Sequence, residues 1–248
     1  MESIAWHEKS HLFAERLPPE MRRRWRTIDQ IGLPQPYEKT HKFDGEFIND
    51  NHRRLGLAPT GRMGLPICID IGIDGYLQRE EALKLYELAY FNNGDALELG
   101  TYRGLSTSII AGALRDGSRG HLETVDIDRW ANRRARKTIK QLFGRGPVTF
   151  TLMDATKRLD QIIAEGRKAG FMFVDHWHGY QSTFEAAERA KDILSPGGFI
   201  LFHDFLDPGN TQPGHPYGVY QAVIDAFGDD ERMQFSGLFG STALFRMS

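Results

Sequence analysis

Two stretches of the chain set acids and imidazoles at the ends of apolar runs. Phe173-Val174-Asp175-His176-Trp177-His178-Gly179-Tyr180 closes one run with an acid and places a histidine three residues on. Pro196-Gly197-Gly198-Phe199-Ile200-Leu201-Phe202-His203-Asp204-Phe205 closes another with a His-Asp pair. If the two runs are neighbouring strands, Asp175 and Asp204 meet at one sheet edge. Paired carboxylates there are hard oxygen ligands, suited to Mg2+, Ca2+ or Mn2+. His203 or His178 would add an imidazole and move the preference toward a transition metal. The structural alternative for either histidine is a hydrogen-bonded packing role.

A third constellation lies upstream, in Glu98-Leu99-Gly100-Thr101-Tyr102-Arg103-Gly104-Leu105-Ser106. A strand running into such a turn can use Gly100 at positive φ, and Gly104 allows close entry into the following helix. Helices entering from that edge present unpaired N–H groups to a ligand. A dinucleotide site prefers G-x-G-x-x-G. Here the spacing is G-x-x-x-G with an acid before it, which suits a cationic ligand better than a pyrophosphate. The next apolar run ends at Asp126-Ile127-Asp128, where Asp126 is placed to accept ribose hydroxyls and Asp128 to cap a helix. Asp154-Ala155, after the third run, is either an adenine-edge acceptor or another cap.

The elements that must position these residues alternate regularly from Ala96. Apolar runs at 96–99, 121–127, 148–153, 171–174 and 199–202 are each followed by a helical stretch, at 105–114, 129–143, 156–168, 182–194 and 219–227. Such alternation predicts an α/β fold, a Rossmann-like doubly wound parallel sheet covered on both faces. The ending differs: Met233–Phe239 and Thr242–Met247 leave room only for a Gly240-Ser241 turn. That spacing predicts a terminal hairpin, hence an antiparallel last strand.

The glycine turn, the ribose acid, the third-strand acid and the terminal hairpin together resemble the class I S-adenosylmethionine-dependent methyltransferases, over Leu77–Ser248. The Asp175, His178, Tyr180 block and the Gly197-Gly198 to His203-Asp204 block, followed by Gly218-Val219, resemble the bacterial macrocin-type branch of sugar and natural-product O-methyltransferases. The resemblance implies seven strands, with S-adenosylmethionine bound by Glu98, Gly100, Thr101, Tyr102, Gly104, Ser106, Asp126, Ile127, Asp154, Ala155 and Asp175. It also implies His178 near the transferred methyl as first candidate base, with His203 second, since histidine ordinarily titrates near neutrality. Tyr180 either orients substrate or begins the next helix. Related catechol- and caffeoyl-type enzymes hold a metal at the positions of Asp175, Asp204 and a following Asn. Here that last position is Phe205, which removes an oxygen ligand.

Composition agrees with one large domain and an appended arm. The 248 residues include 31 Lys+Arg and 33 Asp+Glu, a net charge of -2, which makes no general trap for nucleic acid. No apolar run approaches the roughly 20 residues of a membrane span. The N-terminus lacks a signal-peptide pattern, so a cytoplasmic location is expected. Cys68, the only cysteine, stands in an apolar setting that predicts a small buried hydrophobe rather than a reactive thiol. Residues 1–75 read as an irregular arm, with a basic helix near Pro19 carrying Met21–Arg26, that covers an acceptor pocket or builds a homo-oligomer contact. Tyr37, Phe43, Phe47, Asp70 and Asp74 are candidate pocket residues, and Ile67, Ile69, Ile71 and Ile73 alternate as a short strand or extended segment would. A helix is expected over Leu77–Phe91, and the Asp207–Tyr217 loop with His215 as a lid. The leading function is methyl transfer to a hydroxyl of a small molecule, a sugar or secondary metabolite. The alternatives are a nicotinamide-dependent oxidoreductase, disfavoured by the glycine spacing and the hairpin, and a non-catalytic cofactor-binding protein.

Overall fold

The computed structural model describes residues 47–144 and 146–248. The expected basic helix at Met21–Arg26, and Tyr37 and Phe43, lie outside the described residues.

Seven strands form one sheet in the order β3-β2-β1-β4-β5-β7-β6. They are β1 Ala96–Leu99, β2 Leu122–Asp126, β3 Val148–Leu152, β4 Ala169–Val174, β5 Leu194–Phe202, β6 Met233–Phe239 and β7 Thr242–Met247. β1 to β5 pair in parallel, whereas β7 runs antiparallel to both β5 and β6. The expected hairpin is therefore present, and β7 inserts between β5 and β6. The helices are α1 Asp50–Leu57, α2 Arg79–Tyr90, α3 Leu105–Gly117, α4 Arg129–Phe143, α5 Ala155–Ala164, α6 Tyr180–Ile193 and α7 Val219–Phe227. None among the described residues is long and apolar enough to cross a membrane.

Side chains of one strand alternate between faces, so the sheet feeds two cores. Met172 and Val174 of β4 join the core with α5, α6 and α7, which includes Leu159, Ala187 and Val223. Phe171 and Phe173 join the opposite core, which includes Leu85 of α2 and Ile110 of α3. Burial on both faces explains why the central strands read as continuous apolar runs rather than alternating ones.

Local chemistry sets the boundaries. Asp128 caps α4, accepting from the N–H groups of Trp130 and Ala131, as its spacing predicts. Asp154 caps α5 by accepting from Lys157 N–H. α5 ends at Ala164, short of Lys168, because Gly166 turns the chain at φ +65°. The Ile67–Ile73 alternation does not make a strand. Thr60 and Ile69, and Cys68 and Gln78, pair only as isolated bridges. Asp70 accepts from Gly72 N–H and Gly72 takes φ +81°, so the chain turns where a strand would continue. Ile69 is buried as a result and Ile67 is exposed.

Candidate functional site

A cavity of about 1100 Å³ opens along the carboxyl ends of β1, β2, β4 and β5. The strand order reverses between β1 and β4, which is where open α/β sheets bind ligands. The chain from Leu65 to Gln78 forms the opposite wall, contributing Ile67, Cys68, Tyr76 and Leu77. Cys68 is buried there, and burial pushes its thiol up, so it stays protonated at neutral pH.

At the β1 end the turn is built by close backbone approach. Gly100 adopts φ +100°, and a Cβ on it would stand 2.1 Å from the carbonyl oxygen of Asp175. The glycine is thus demanded by the neighbouring strand end as well as by space for a ligand. Gly104 stands behind the cavity wall at φ +89°, where a Cβ would meet Ala135 of α4 at 3.1 Å. Asp126 organises the rim: one carboxylate oxygen accepts from Tyr102 N–H at 2.7 Å and the other from Asp128 N–H at 2.7 Å. That bond holds Tyr102 at φ +42°, its ring stacked 6.2 Å from Tyr76 across the mouth. Thr101, Ser106, Ile127, Asp154 and Ala155 line the same cavity.

Glu98 does not line it. The carboxylate is fully buried behind the turn, accepting from Thr107 and Thr124 hydroxyls, each at 2.6 Å. Burial raises its pKa to about 7 against hydrogen bonds from Ser106, Thr107 and Thr124. Its link to the cavity runs through Ser106. Phe47 packs against His52, and Asp70 and Asp74 are held by Arg62, so none of these three expected pocket residues lines the cavity.

The β4 and β5 ends bring the acid and imidazole groups together. Asp175 Oδ1 lies 3.2 Å from His178 Nε2 and 2.9 Å from His203 Nδ1. Asp204 adds Oδ2 at 3.4 Å from His178 Nε2 and Oδ1 at 3.4 Å from His203 Nδ1. Candidate ligand atoms of Asp175, His178 and His203 all lie within 4.8 Å of one another. Burial opposes ionisation of Asp175, but His203 and His178 outweigh it and hold the carboxyl far below the usual range. Burial raises Asp204 against the same two rings. Burial also disfavours a charged His203, yet Asp175, Glu81 and Asp204 reverse this and hold it well above its ordinary value. Phe205, at the position where an oxygen ligand was in question, is fully buried against Tyr220 and Phe245. The Asp207–Tyr217 loop contains a short 3-10 turn at Pro208–Thr211, tied down by Asn210, whose amide donates to Asp204 O and Asp207 O. Tyr217 returns from it to pack 4.8 Å from the His178 ring.

Residues 97–205 match the family model described as a methyltransferase domain. The matched stretch is under half of the chain. It spans the glycine turn, Asp126, Asp154, the Asp175–His178 block and His203-Asp204. A caffeoyl-CoA O-methyltransferase of Stellaria longipes is 31% identical over 118 residues, which are 46% of this chain. The match covers 47% of that relative, about half its length. Among solved structures, the O-methyltransferase from Bacillus cereus in complex with SAH superposes at a TM-score of 0.60 with 20% identity, covering 69% of this chain and 82% of that one. The O-methyltransferase TomG from Streptomyces achromogenes, involved in tomaymycin synthesis and in complex with SAM, gives 0.59 with 17% identity over 100% and 99% of the two chains. These likenesses establish the Rossmann-like class I methyltransferase fold.

The cavity is also lined by residues that the motifs did not single out. His176 and Trp177 line the cavity beside the singled-out Asp175 and His178, and Tyr76, Leu77 and Ser241 come from outside the matched stretch. Burial lowers the pKa of His176 to about 4, so its ring is neutral near pH 7. The signal for His176 was present in the motif itself, whereas nothing local marks Tyr76 or Ser241.

Proposed function

We propose that the protein transfers a methyl group from S-adenosylmethionine to a hydroxyl of a small molecule, a sugar or secondary metabolite. The observation that carries this reading is the continuity of one cavity from the Gly100–Asp126 rim to the Asp175–His178–His203–Asp204 cluster. The first end matches a nucleoside and a cationic sulfonium, and the second matches a hydroxyl that must lose a proton. The match to an O-methyltransferase relative supports the same reading.

S-adenosylmethionine supplies an already activated methyl on sulfur, so alignment and exclusion of water are the main tasks left to the protein. Asp126 is assigned the ribose hydroxyls and the Tyr102–Tyr76 stack the closure of the mouth. Asp154 and Ala155 are assigned the adenine edge, although Asp154 also caps α5. Backbone at Gly100 and Thr101 is assigned the methionine end, with Ser106 relaying to Glu98. His178 is assigned the base: its ring takes the acceptor proton as the acceptor oxygen bonds to the methyl carbon and the carbon–sulfur bond breaks. Asp175 and Asp204, at 3.2 and 3.4 Å from Nε2, stabilise the resulting imidazolium. His203 is set between Asp175 and Glu81 with a carboxylate facing each ring nitrogen, which suits a positioned cation or metal ligand better than a base.

The same cluster fits a divalent cation. His203 Nδ1 is buried 2.9 Å from Asp175, and with the proton kept on Nε2 its lone pair would point into the cluster. Asp175, His178 and His203 would hold the ion with Asp204 alongside, a mixed imidazole and carboxylate set that favours Mn2+, Fe2+ or Zn2+ over Mg2+. A bound cation would acidify an acceptor hydroxyl near it and so take over the task of His178, which as a ligand would not act as base.

Calorimetry with S-adenosylhomocysteine, paired with transfer of labelled methyl to catechols, sugars and macrolides, tests the reading. Binding is expected, with Asp126→Ala weakening it at least tenfold, about 1.4 kcal/mol. Absence of heat together with quenching of fluorescence by NADH would overturn it, and binding without transfer to any acceptor would favour a cofactor-binding role.

A further inference from the structure

Glu81 is a buried carboxylate that neither the glycine turn nor the β4 and β5 motifs require. It sits in the first turn of α2, outside the matched residues 97–205, and is 2% exposed. Its Oε1 accepts from Ser241 N–H at 2.7 Å, from the Ser241 hydroxyl at 2.8 Å and from the Thr242 hydroxyl at 3.2 Å. Its Oε2 accepts from Gln78 N–H at 2.7 Å and lies 3.3 Å from His203 Nε2. The hairpin makes room for it: Gly240 takes φ +59°, and a Cβ there would stand 2.6 Å from Oε1.

An ionised carboxylate only accepts, and without a cation each ring nitrogen of His203 faces one; a cation in the cluster would displace the proton facing Asp175, while the nitrogen facing Glu81 keeps its own. The remaining nitrogen of the ring then faces Asp175, 2.9 Å away, inside the cluster. Burying a carboxylate is costly unless donors surround it, and Ser241, Thr242 and Gln78 surround this one. They also hold its second oxygen at the height of His203. A metal-binding histidine whose far nitrogen donates to a carboxylate has its tautomer and ring orientation set by that partner.

We propose that Glu81 is a positioning residue, which by accepting from His203 Nε2 turns His203 Nδ1 toward Asp175 and presents it to a divalent cation. This rests on the reading of the Asp175–His178–His203 cluster as a cation site. The assignment explains why the segment before the matched stretch and the terminal hairpin converge on one carboxylate: both build the support of a ligand that β5 delivers.

The test is titration of the full chain with Co2+, following affinity and the visible absorption of the bound ion, beside thermal unfolding of the same samples. Glu81→Gln removes the charge facing Nε2 and sets an NH2 against the backbone N–H of Gln78 or Ser241, loosening the hold on His203, and is expected to weaken Co2+ binding about 10- to 100-fold with an altered spectrum. Thr242→Val removes the longest of the hairpin bonds, at the carboxylate oxygen remote from His203, and is expected to weaken Co2+ binding less than threefold, well short of the Glu81→Gln loss. If Glu81→Gln does not fold, Glu81→Asp carries the test, since its shorter side chain withdraws from Nε2 with the charge kept. Unchanged binding in a folded Glu81 variant overturns the proposal alone. An equal loss in Thr242→Val assigns the effect to the hairpin tether and also overturns it. No binding to the parent chain removes the cation site, and the proposal with it, while S-adenosylhomocysteine binding tests the methyl-transfer reading separately.

Discussion

His178 and Asp175 were visible as a pair because their three-residue spacing follows a strand end, where a side chain is carried to the sheet edge. The same pattern left His203 ambiguous, since a histidine between two carboxylates and one exposed to an acceptor read alike along the chain. Their environments differ: both line the cavity, but His178 is partly exposed, whereas His203 is buried between Asp175 and Glu81. His178→Gln is therefore expected to lower kcat by about 10²–10⁴, with S-adenosylhomocysteine affinity kept within twofold. Steady-state rates and calorimetry on one preparation check both. A loss of affinity equal to the loss of rate would place His178 in cofactor binding instead.

At the scale of elements, the segment before α2 owes its position to one acid. Asp74 Oδ1 accepts from Arg62 Nη2 at 2.6 Å, and Oδ2 accepts from Arg103 Nη1 at 2.8 Å and Arg134 Nη2 at 2.7 Å. Arg62, Arg103 and Arg134 lie respectively in the arm, the glycine turn and α4, so a single carboxylate fastens the cavity wall to the sheet edge. Hydrogen bonding from Arg62 leads in holding its carboxyl below the usual range. Partly exposed ion pairs each contribute little, but these share one acid, and removing it leaves three guanidinium groups together. Asp74→Ala is expected to cost about 1 kcal/mol, roughly 2–4 °C in Tm. It should also speed proteolysis within 59–78 and dissociation of S-adenosylhomocysteine. Limited proteolysis and stopped-flow release check this, and unchanged rates would show that the wall stays shut without the acid. As a motif, Asp74 resembled a pocket residue; its partners lie 12, 29 and 60 positions away, beyond any local pattern.

For the whole molecule, buried ionisable groups set how stability follows pH. Burial opposes ionisation of Glu123, but Arg158, Thr151 and Arg167 hold its pKa at about 2. Its folded value lies below the ordinary 4.5, so its contribution is complete above that pH and is lost as pH falls toward 2. Between about 4.5 and 6.5 two histidines act against one acid. Burial lowers His52 and His176 to about 4, so folding favours their neutral rings and stability rises with pH. Burial raises Glu98 to about 7, so folding favours its neutral acid and stability falls with pH. Thermal melts across pH are expected to climb steeply from 2 to 4.5 and more gently to about 6.5. Glu123→Gln should lower Tm at pH 7 and reduce the acid slope; a slope unchanged by that substitution would assign acid unfolding to other carboxylates.

The alternation of apolar runs and helical stretches, the caps at Asp128 and Asp154 and the Gly240-Ser241 hairpin were determined by the sequence alone. Each depends on residues close along the chain, whose backbone preferences and burial periods act without distant help. The turn at Gly72, the burial of Glu98 behind its glycine turn, the clamp on Asp74 and the seat of His203 against Glu81 were decided only by tertiary structure. A charge or hydrogen bond is settled by what lies within a few ångströms, and Glu81 lies 122 positions from His203 along the chain. Only folding brings that acid to the imidazole.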